Sequence, residues 1–255
     1  MQENENVALL KEADDFLINQ NYKQALSFYR KAFKNAPENT KVLLGLSYSY
    51  SGLGEFKDAL KYAELILENH PKNFEALFLK ASYLGRMQKH KEALEILQIA
   101  LKIEPNSIKA LTSVSFNFGE IKNFGEAIKY CDKVLALEPN NIKALINKEV
   151  YLSKQDKNEE ALQCTLKALE IEPKNINILV GAEYLLSKLG KFDEAVKICD
   201  RILEIEPKNK RVKNNKNHYL KKLGLKSSKS LLDNKFIFIM VMIFIALFLT
   251  YITLK

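Results

Sequence analysis

Prolines divide most of the chain into segments of equal length. Each of the six prolines lies 34 residues from the next. They are Pro37, Pro71, Pro105, Pro139, Pro173 and Pro207. The heptapeptide LEIEPKN at 169–175 also returns letter for letter at 203–209. A fixed period of roughly 20–50 residues indicates a repeat protein, in which each copy buries its apolar face against its neighbours.

Two other positions of the period are the same in every copy. If each proline is placed at position 32 of a 34-residue unit, the units begin at residues 6, 40, 74, 108, 142 and 176. Position 4 is then always leucine: Leu9, Leu43, Leu77, Leu111, Leu145 and Leu179. Position 20 is always alanine: Ala25, Ala59, Ala93, Ala127, Ala161 and Ala195. Because a methyl group lets two helices approach closely, this alanine indicates a helix–helix contact in each unit.

Within each unit, the apolar residues recur at intervals of three and four, as on one face of a helix. In the second unit Leu43, Leu46 and Tyr50 mark a first helix, A, and a similar set after residue 55 marks a second helix, B. Between them, Gly52 and Gly54 can adopt the positive φ that ends a helix. The proline is expected to end helix B and to open the next helix.

This pattern resembles the tetratricopeptide repeat (TPR), with its large apolar residue at position 4, alanine at 20 and proline at 32. The resemblance covers residues 6–209 and implies an all-α fold, an α-α superhelix of six helix-turn-helix repeats. The predicted repeats span 6–39, 40–73, 74–107, 108–141, 142–175 and 176–209. Position 8, normally small, is Glu149 and Glu183 in the last two repeats, where looser packing or a tilt of the carboxylates into solvent is expected. Asn158 replaces the aromatic residue usual at position 17.

Residues 210–225 are predicted to form a capping helix, because the last repeat of a solenoid needs a wettable end. Its apolar residues would cover the last hairpin: Val212, Tyr219, Leu220 and Leu223. The same region holds the positive charge of the chain. Residues 208–235 contain ten basic residues and one acid, whereas residues 1–207 carry a net charge of about −2. A nucleic-acid groove along the repeats is therefore not expected.

A basic juxtamembrane linker at 226–235 leads to the apolar segment FIFIMVMIFIALFLTYITL at 236–254. Nineteen uncharged residues would span about 28 Å as a helix, close to the thickness of the hydrocarbon core of a bilayer. Thirteen of them are Leu, Ile, Phe or Val, and their insertion contributes roughly −4 to −8 kcal/mol. A single transmembrane helix is predicted here, and a buried core helix or an extra cap is the alternative.

The orientation of the predicted transmembrane helix follows from the positive charges beside it. The N-terminal MQENENVALL has neither the basic start nor the apolar run of a signal peptide. The basic stretch lies on the N-terminal side of the apolar segment, so the positive-inside rule places the repeats in the cytoplasm. This arrangement resembles that of tail-anchored, single-pass membrane proteins. A prokaryotic plasma membrane is favoured, with the endoplasmic reticulum or the mitochondrial outer membrane as alternatives.

The sequence contains no recognisable catalytic constellation. Three histidines and three cysteines are scattered over different repeat positions: His70, His90, His218, Cys131, Cys164 and Cys199. The cysteines fit packed thiols, without C-x-x-C spacing, and no glycine-rich phosphate loop is present. We therefore expect no catalysis, metal, cofactor or small-molecule substrate.

In the repeats that this chain resembles, positions 2, 5, 6, 9 and 13 of helix A face a concave groove. Here positions 5 and 9 are mostly apolar, which suits a peptide with apolar anchors; the alternative is that neighbouring hairpins bury part of this stripe. Lysines at position 2 would favour a carboxylate in the ligand. The predicted groove residues are Lys41, Leu44, Tyr48, Phe78, Lys109, Phe116, Lys143, Ile146, Asn147, Val150 and Tyr184. No three consecutive repeats supply the two-carboxylate clamp of chaperone-binding adaptors.

These features favour a membrane-tethered scaffold that binds a protein or peptide ligand through its groove. The alternative is a receptor or holdase for hydrophobic peptide segments in membrane-protein biogenesis or import. A third hypothesis assigns lipid or nucleic-acid binding to residues 208–235. Simple contact with lipid is the more economical form of it, and no nucleic-acid partner is predicted.

Overall fold

The computed structural model of the chain describes residues 2–225, which form thirteen α-helices and no β-strand. The helices are α1 (Gln2–Ile18), α2 (Tyr22–Asn35), α3 (Thr40–Gly52), α4 (Phe56–Asn69), α5 (Phe74–Arg86), α6 (His90–Ile103), α7 (Ile108–Glu120), α8 (Phe124–Leu137), α9 (Ile142–Lys154), α10 (Asn158–Ile171), α11 (Ile176–Lys188), α12 (Phe192–Ile205) and α13 (Lys210–Lys222). The prediction of an all-α, TPR-like solenoid is confirmed for this part of the chain.

None of the helices in residues 2–225 has both the length and the apolar character needed to cross a bilayer. The predicted linker at 226–235 and the predicted transmembrane helix at 236–254 lie outside the described residues.

The chain divides into two compact units, Met1–Tyr151 and Leu152–Lys255. In the first unit, the odd-numbered A helices alternate with the even-numbered B helices from α1 to the start of α9, and each A helix from α1 to α7 packs on the B helix that follows it. Alanine at position 20 is fully buried in all four repeats of this unit, at Ala25, Ala59, Ala93 and Ala127. The close helix–helix contact expected there is confirmed.

The second unit is built in the same way from α10 to α13. Helix α11 packs on α10 and on α12, and α12 packs on α13. Leu179, Leu185 and Ile202 are completely buried in its core. Full burial of a leucine or isoleucine contributes roughly 1.5–3 kcal/mol, so these apolar faces account for much of the packing of the unit.

Asparagine side chains begin most of the A helices. Asn39, Asn73, Asn175 and Asn209, each two residues after a proline, accept hydrogen bonds from backbone N–H groups of the first helical turn at 2.9–3.3 Å. An asparagine in this position satisfies a donor that a helix N-terminus otherwise leaves unpaired. The expectation that the proline opens the next helix is wrong, because it lies in the linker before this cap.

The turn between helices A and B places position 15 in the left-handed region. Gly54 has φ +80°, as predicted, but Gln88 and Lys122 adopt φ +62° and +63° at the same position. The corresponding prediction for Gly52 is wrong. It is the last residue of α3, and a Cβ atom there would lie 2.3 Å from the ring of Tyr22. Its role is to allow close packing between helices.

Glu183 does not tilt into solvent, and this expectation is wrong. Its side chain is buried, with 2% exposure, and it accepts hydrogen bonds from the Tyr219 hydroxyl and, at 3.2 Å, from the Asn215 amide. Burial and the bond to Glu183 raise the pKa of Tyr219 to about 12. In the first unit, Glu149 is half-buried, and burial raises the pKa of its carboxyl group.

The Glu183–Tyr219 pair belongs to a recurring contact between position 8 of one repeat and position 10 of the next helix A. In the first unit, the hydroxyl of Ser47 lies 3.0 Å from that of Tyr83, and Ser115 and Tyr151 are hydrogen-bonded in the same register. Each tyrosine therefore reaches back to a polar group on the preceding repeat. A buried carboxylate is tolerated at Glu183 because α13 supplies two donors to it.

Helix α13 covers the last hairpin largely as expected. Val212 is completely buried, Tyr219 is 7% exposed, and Leu220 is half-buried. Leu223 is 38% exposed and contributes less to the cover than predicted. The ring of Tyr219 stacks on Phe192 of α12, with centroids 5.8 Å apart.

Candidate functional site

The predicted groove residues of the first unit lie on four A helices: α3, α5, α7 and α9. We call this set the A-helix surface: Lys41, Leu44, Tyr48, Phe78, Lys109, Phe116, Lys143, Ile146, Asn147 and Val150. Leu44, Tyr48, Phe78 and Asn147 are half-buried, and the other six are exposed. Neighbouring helices therefore bury part of the apolar stripe, as the alternative interpretation allowed.

Position 9 of one repeat meets position 2 of the next at the first two junctions of the A-helix surface. The carboxylate of Asp14 pairs with Lys41 at 2.7 Å, and the hydroxyl of Tyr48 donates to Glu75. Burial and the Glu75 bond together raise the pKa of Tyr48 above its ordinary value. Asp14 and Glu75 were not predicted as site residues. The sequence feature that could have identified them is an acid at position 9 or 2 with a lysine or tyrosine at the other of these positions in the neighbouring repeat.

The charge of Lys109 is already engaged within the protein. Its amine pairs with Glu75 and lies 4.9 Å and 4.8 Å from the ring centroids of Phe74 and Phe78. The two rings are stacked, with centroids 6.4 Å apart. Cation–π contacts contribute about 0.5–1 kcal/mol each at exposed sites. Lys109 thus mainly covers the two phenylalanines, and its charge is less available to a ligand carboxylate.

Lys41 is held more weakly than Lys109. Its side chain is 61% exposed, and that of its partner Asp14 is 33% exposed. Surface ion pairs of this kind contribute at most about 1 kcal/mol. A ligand carboxylate can therefore compete for Lys41 at small cost.

The apolar side chains that remain in solvent are found toward the end of the first unit. Phe116 on α7 is 47% exposed, and Ile146 and Val150 on α9 are 37% and 40% exposed. Ile146 and Val150 are four residues apart and share one face of α9. The ring of Phe116 meets that of His90 edge to face, at a centroid distance of 6.4 Å. We call Phe116, Ile146 and Val150 the apolar patch.

Lys143 is exposed on α9 and lies one turn before Ile146, on the same face of the helix. The register that joins Asp14 to Lys41 and Tyr48 to Glu75 predicts that Lys143, at position 2, lies near Phe116, at position 9. Within residues 6–225, whose side chains the structure describes, no carboxylate lies within ion-pair distance of Lys143. The patch therefore combines three exposed apolar side chains with one cation that is not neutralised by an acid.

Tyr184 is the predicted groove residue of the second unit. It lies on α11 with 55% of its surface exposed. One turn further along, Lys188 pairs with Asp156 at 2.9 Å. This ion pair engages the position-13 lysine of the unit.

The histidines and cysteines do not assemble into a reactive group in the described residues. Nδ1 of His90 lies 3.0 Å from Oδ1 of Asn117. Cys131 and Cys199 are buried, Cys164 is half-buried, and burial raises the pKa of Cys199 to about 12. Across residues 2–225, no three His, Cys, Asp or Glu side chains are grouped so that they could hold a metal ion.

Comparisons with known proteins define the class of the repeats. Family models of the tetratricopeptide repeat match residues 16–83 and 74–107, and a model of the N-terminal TPR region of Psidin matches residues 116–221. The chain is therefore a TPR-containing protein over these residues. A search of curated proteins found no significant match.

Solved structures share the fold at low sequence identity. PilF of Pseudomonas aeruginosa is 17% identical with a TM-score of 0.68, over 87% of this chain and 99% of PilF. A tetratricopeptide repeat protein of Parabacteroides merdae is 17% identical with a TM-score of 0.66, over 90% of this chain and 96% of its own. YrrB, described as a TPR protein with an unusual peptide-binding site, is 22% identical with a TM-score of 0.57, over 69% and 92%. These similarities establish the fold.

Proposed function

We propose that the chain is a membrane-tethered scaffold that binds a segment of a partner protein on its A-helix surface and catalyses no reaction. The observation that carries the proposal is the apolar patch, where Phe116, Ile146 and Val150 stay in solvent, with the exposed Lys143 one turn before Ile146 on α9. Apolar anchors with one cation suit a peptide that presents apolar side chains next to an acid or a terminal carboxylate. The peptide-binding site named for the similar YrrB supports this use of the fold.

The experiment compares two triple variants of the tagged full-length chain. In the first, Phe116, Ile146 and Val150 are replaced by alanine. The matched control replaces Ile99, Ile103 and Leu137, which lie on B helices of the same unit and are 44%, 37% and 43% exposed. Proteins that co-purify from the native cells are quantified for each variant. A partner lost with the first variant and kept with the second supports the proposal; equal retention by both excludes the patch as its binding site.

The tether is proposed from the sequence of residues 236–254 and from the insertion free energy given above. The basic residues before it favour a cytoplasmic location of the repeats, in a prokaryotic plasma membrane. The full-length chain should stay in the membrane pellet after alkaline carbonate extraction, and a variant without residues 236–255 should be released. Retention of the truncated chain would exclude this segment as the tether.

The second candidate is a receptor for hydrophobic segments of other membrane proteins, and the apolar character of all three patch residues favours it. It predicts that a fluorescent peptide of purely apolar sequence binds the detergent-solubilised chain. This binding should be lost in the triple variant of Phe116, Ile146 and Val150. The scaffold predicts that such a peptide binds poorly, because it offers no acid to Lys143.

A further inference from the structure

We infer that the outer face of α13 is a docking surface for the anionic headgroups of a lipid bilayer. The inference rests on the tether of the proposed function and adds a second contact between protein and membrane. It assigns to the capping helix a role beyond covering the last hairpin.

Five of the six charged side chains of α13 lie on the outer half of the helix. Val212 and Tyr219 are buried against the hairpin. At 100° per residue, five exposed cations are spread over the outer half of the helix, an arc of about 180° with Asn214 near its centre. The five are Lys210, Arg211, Lys213, Lys221 and Lys222. A cationic outer face of this kind is attracted to the negative surface potential of a membrane that contains anionic lipids.

Ion pairing leaves these five cations available. Within α13, Lys216 forms a salt bridge, with Asp200 of α12. The ion pairs formed by the described residues include none of the five outward cations. Among residues 6–225, they thus face solvent without a neutralising carboxylate.

Helix α13 carries more positive charge than a solvent-exposed cap requires. A wettable end needs polar residues, and glutamate, glutamine or serine would serve as well as lysine. In residues 1–207, 28 basic residues are balanced by 30 acids, whereas residues 208–225 contain seven basic residues and no acid. All charged residues of 208–225 are positive, and this region ends eleven residues before the apolar segment at 236–254. Such a charge distribution fits an anionic surface close to that segment.

The absence of tryptophan from the chain permits a direct test. Asn214→Trp places the sole tryptophan on the outer face of α13. The full-length variant is reconstituted into vesicles that contain dansyl-labelled lipid, made of phosphatidylcholine alone or of phosphatidylcholine with phosphatidylglycerol. We expect energy transfer from position 214 to the lipid to rise with phosphatidylglycerol and to fall in high salt. Equal transfer in both vesicles would overturn the inference.

Charge reversal supplies the second arm of the test. A contribution of about 1 kcal/mol per lysine corresponds to about a five-fold change in the ratio of docked to undocked α13. Replacing Lys210, Lys213 and Lys221 by glutamate should therefore lower that ratio by at least about 100-fold. The matched control carries the same three changes at exposed lysines elsewhere in the second unit: Lys167, Lys191 and Lys197. A loss of transfer as large with the control as with the α13 variant would overturn the inference.

The outcomes separate the inference from the proposed function. A chain that fails to float with either vesicle refutes the tether. A chain that floats but shows no effect of phosphatidylglycerol keeps the tether and refutes the α13 surface. Binding of a single-stranded RNA that depends on Lys210, Lys213 and Lys221, without an effect of phosphatidylglycerol, would also refute the lipid surface.

Discussion

The substitution Tyr219→Phe isolates the hydrogen bond that holds α13 to a buried carboxylate. It removes one hydroxyl group and leaves the ring stacked on Phe192. The hydroxyl donates to Glu183, which is 2% exposed and would keep the amide of Asn215 as a donor. A hydrogen bond to a charged group contributes about 1.5–3 kcal/mol. We expect the free energy for opening α13 to fall by about this amount.

Amide hydrogen exchange measures that opening locally. In the detergent-solubilised full-length chain, peptides covering Lys210–Lys222 should exchange about 10- to 150-fold faster in the variant. Tyr83→Phe is the matched control, because its hydroxyl faces the neutral hydroxyl of Ser47 at 3.0 Å. Loss of a neutral pair costs about 0.5–1.5 kcal/mol, which predicts roughly a 2- to 10-fold change in α5.

A double-mutant cycle tests the physical cause. In a Glu183→Ala background, Tyr219→Phe should have little further effect, because the acceptor is already absent. Unchanged exchange in α13, or a larger effect of Tyr83→Phe than of Tyr219→Phe, would refute the assignment of stability to the buried carboxylate.

Three further predictions concern packing, turns and pH. Gly52→Ala should destabilise the first unit by about 1–3 kcal/mol, because its Cβ would lie 2.3 Å from the Tyr22 ring; a urea midpoint equal to that of the unchanged chain would contradict this. Gln88→Gly should stabilise that unit by about 0.5–1 kcal/mol by relieving φ +62°, whereas Gly at Gln163, inside α10, should cost about the same. Glu149→Gln should raise the urea midpoint of unfolding, and the increase should be larger at higher pH. Burial raises the pKa of Glu149, so the native state favours the protonated carboxyl group. The unchanged chain therefore loses stability as the pH rises through that pKa, whereas the glutamine variant does not. A gain confined to acid pH would show the opposite sign.

The 34-residue period was sufficient to predict the helices. Leucine at position 4 and alanine at position 20 define the faces that each hairpin buries, and Ala25 and Ala59 lie where the pattern requires. The A-helix surface was predicted from the resemblance to the TPR family, which assigns positions 2, 5, 6, 9 and 13 of helix A to a groove. Phe116, Ile146 and Val150 were predicted in this way, and they are exposed.

Pairings between repeats could not be predicted from that reading. Lys109, at position 2, was predicted to favour a ligand carboxylate, but Glu75, one repeat earlier, neutralises it. Glu183 appeared misplaced because its donors lie 32 and 36 residues further along, on α13. Both errors have one cause. The partner of a side chain in a stacked repeat is displaced by about one period, and its identity depends on which helix follows.

The hydrogen bond between Glu183 and Tyr219 affects how the number of repeats in this chain can change during evolution. Recombination between the two identical copies of LEIEPKN would delete 34 residues and attach α13 directly to the fifth repeat. Glu149 occupies in that repeat the place that Glu183 has in the sixth, so the hydroxyl of Tyr219 and the amide of Asn215 would again meet a carboxylate. A shortened descendant would inherit a terminal helix that already fits its new neighbour.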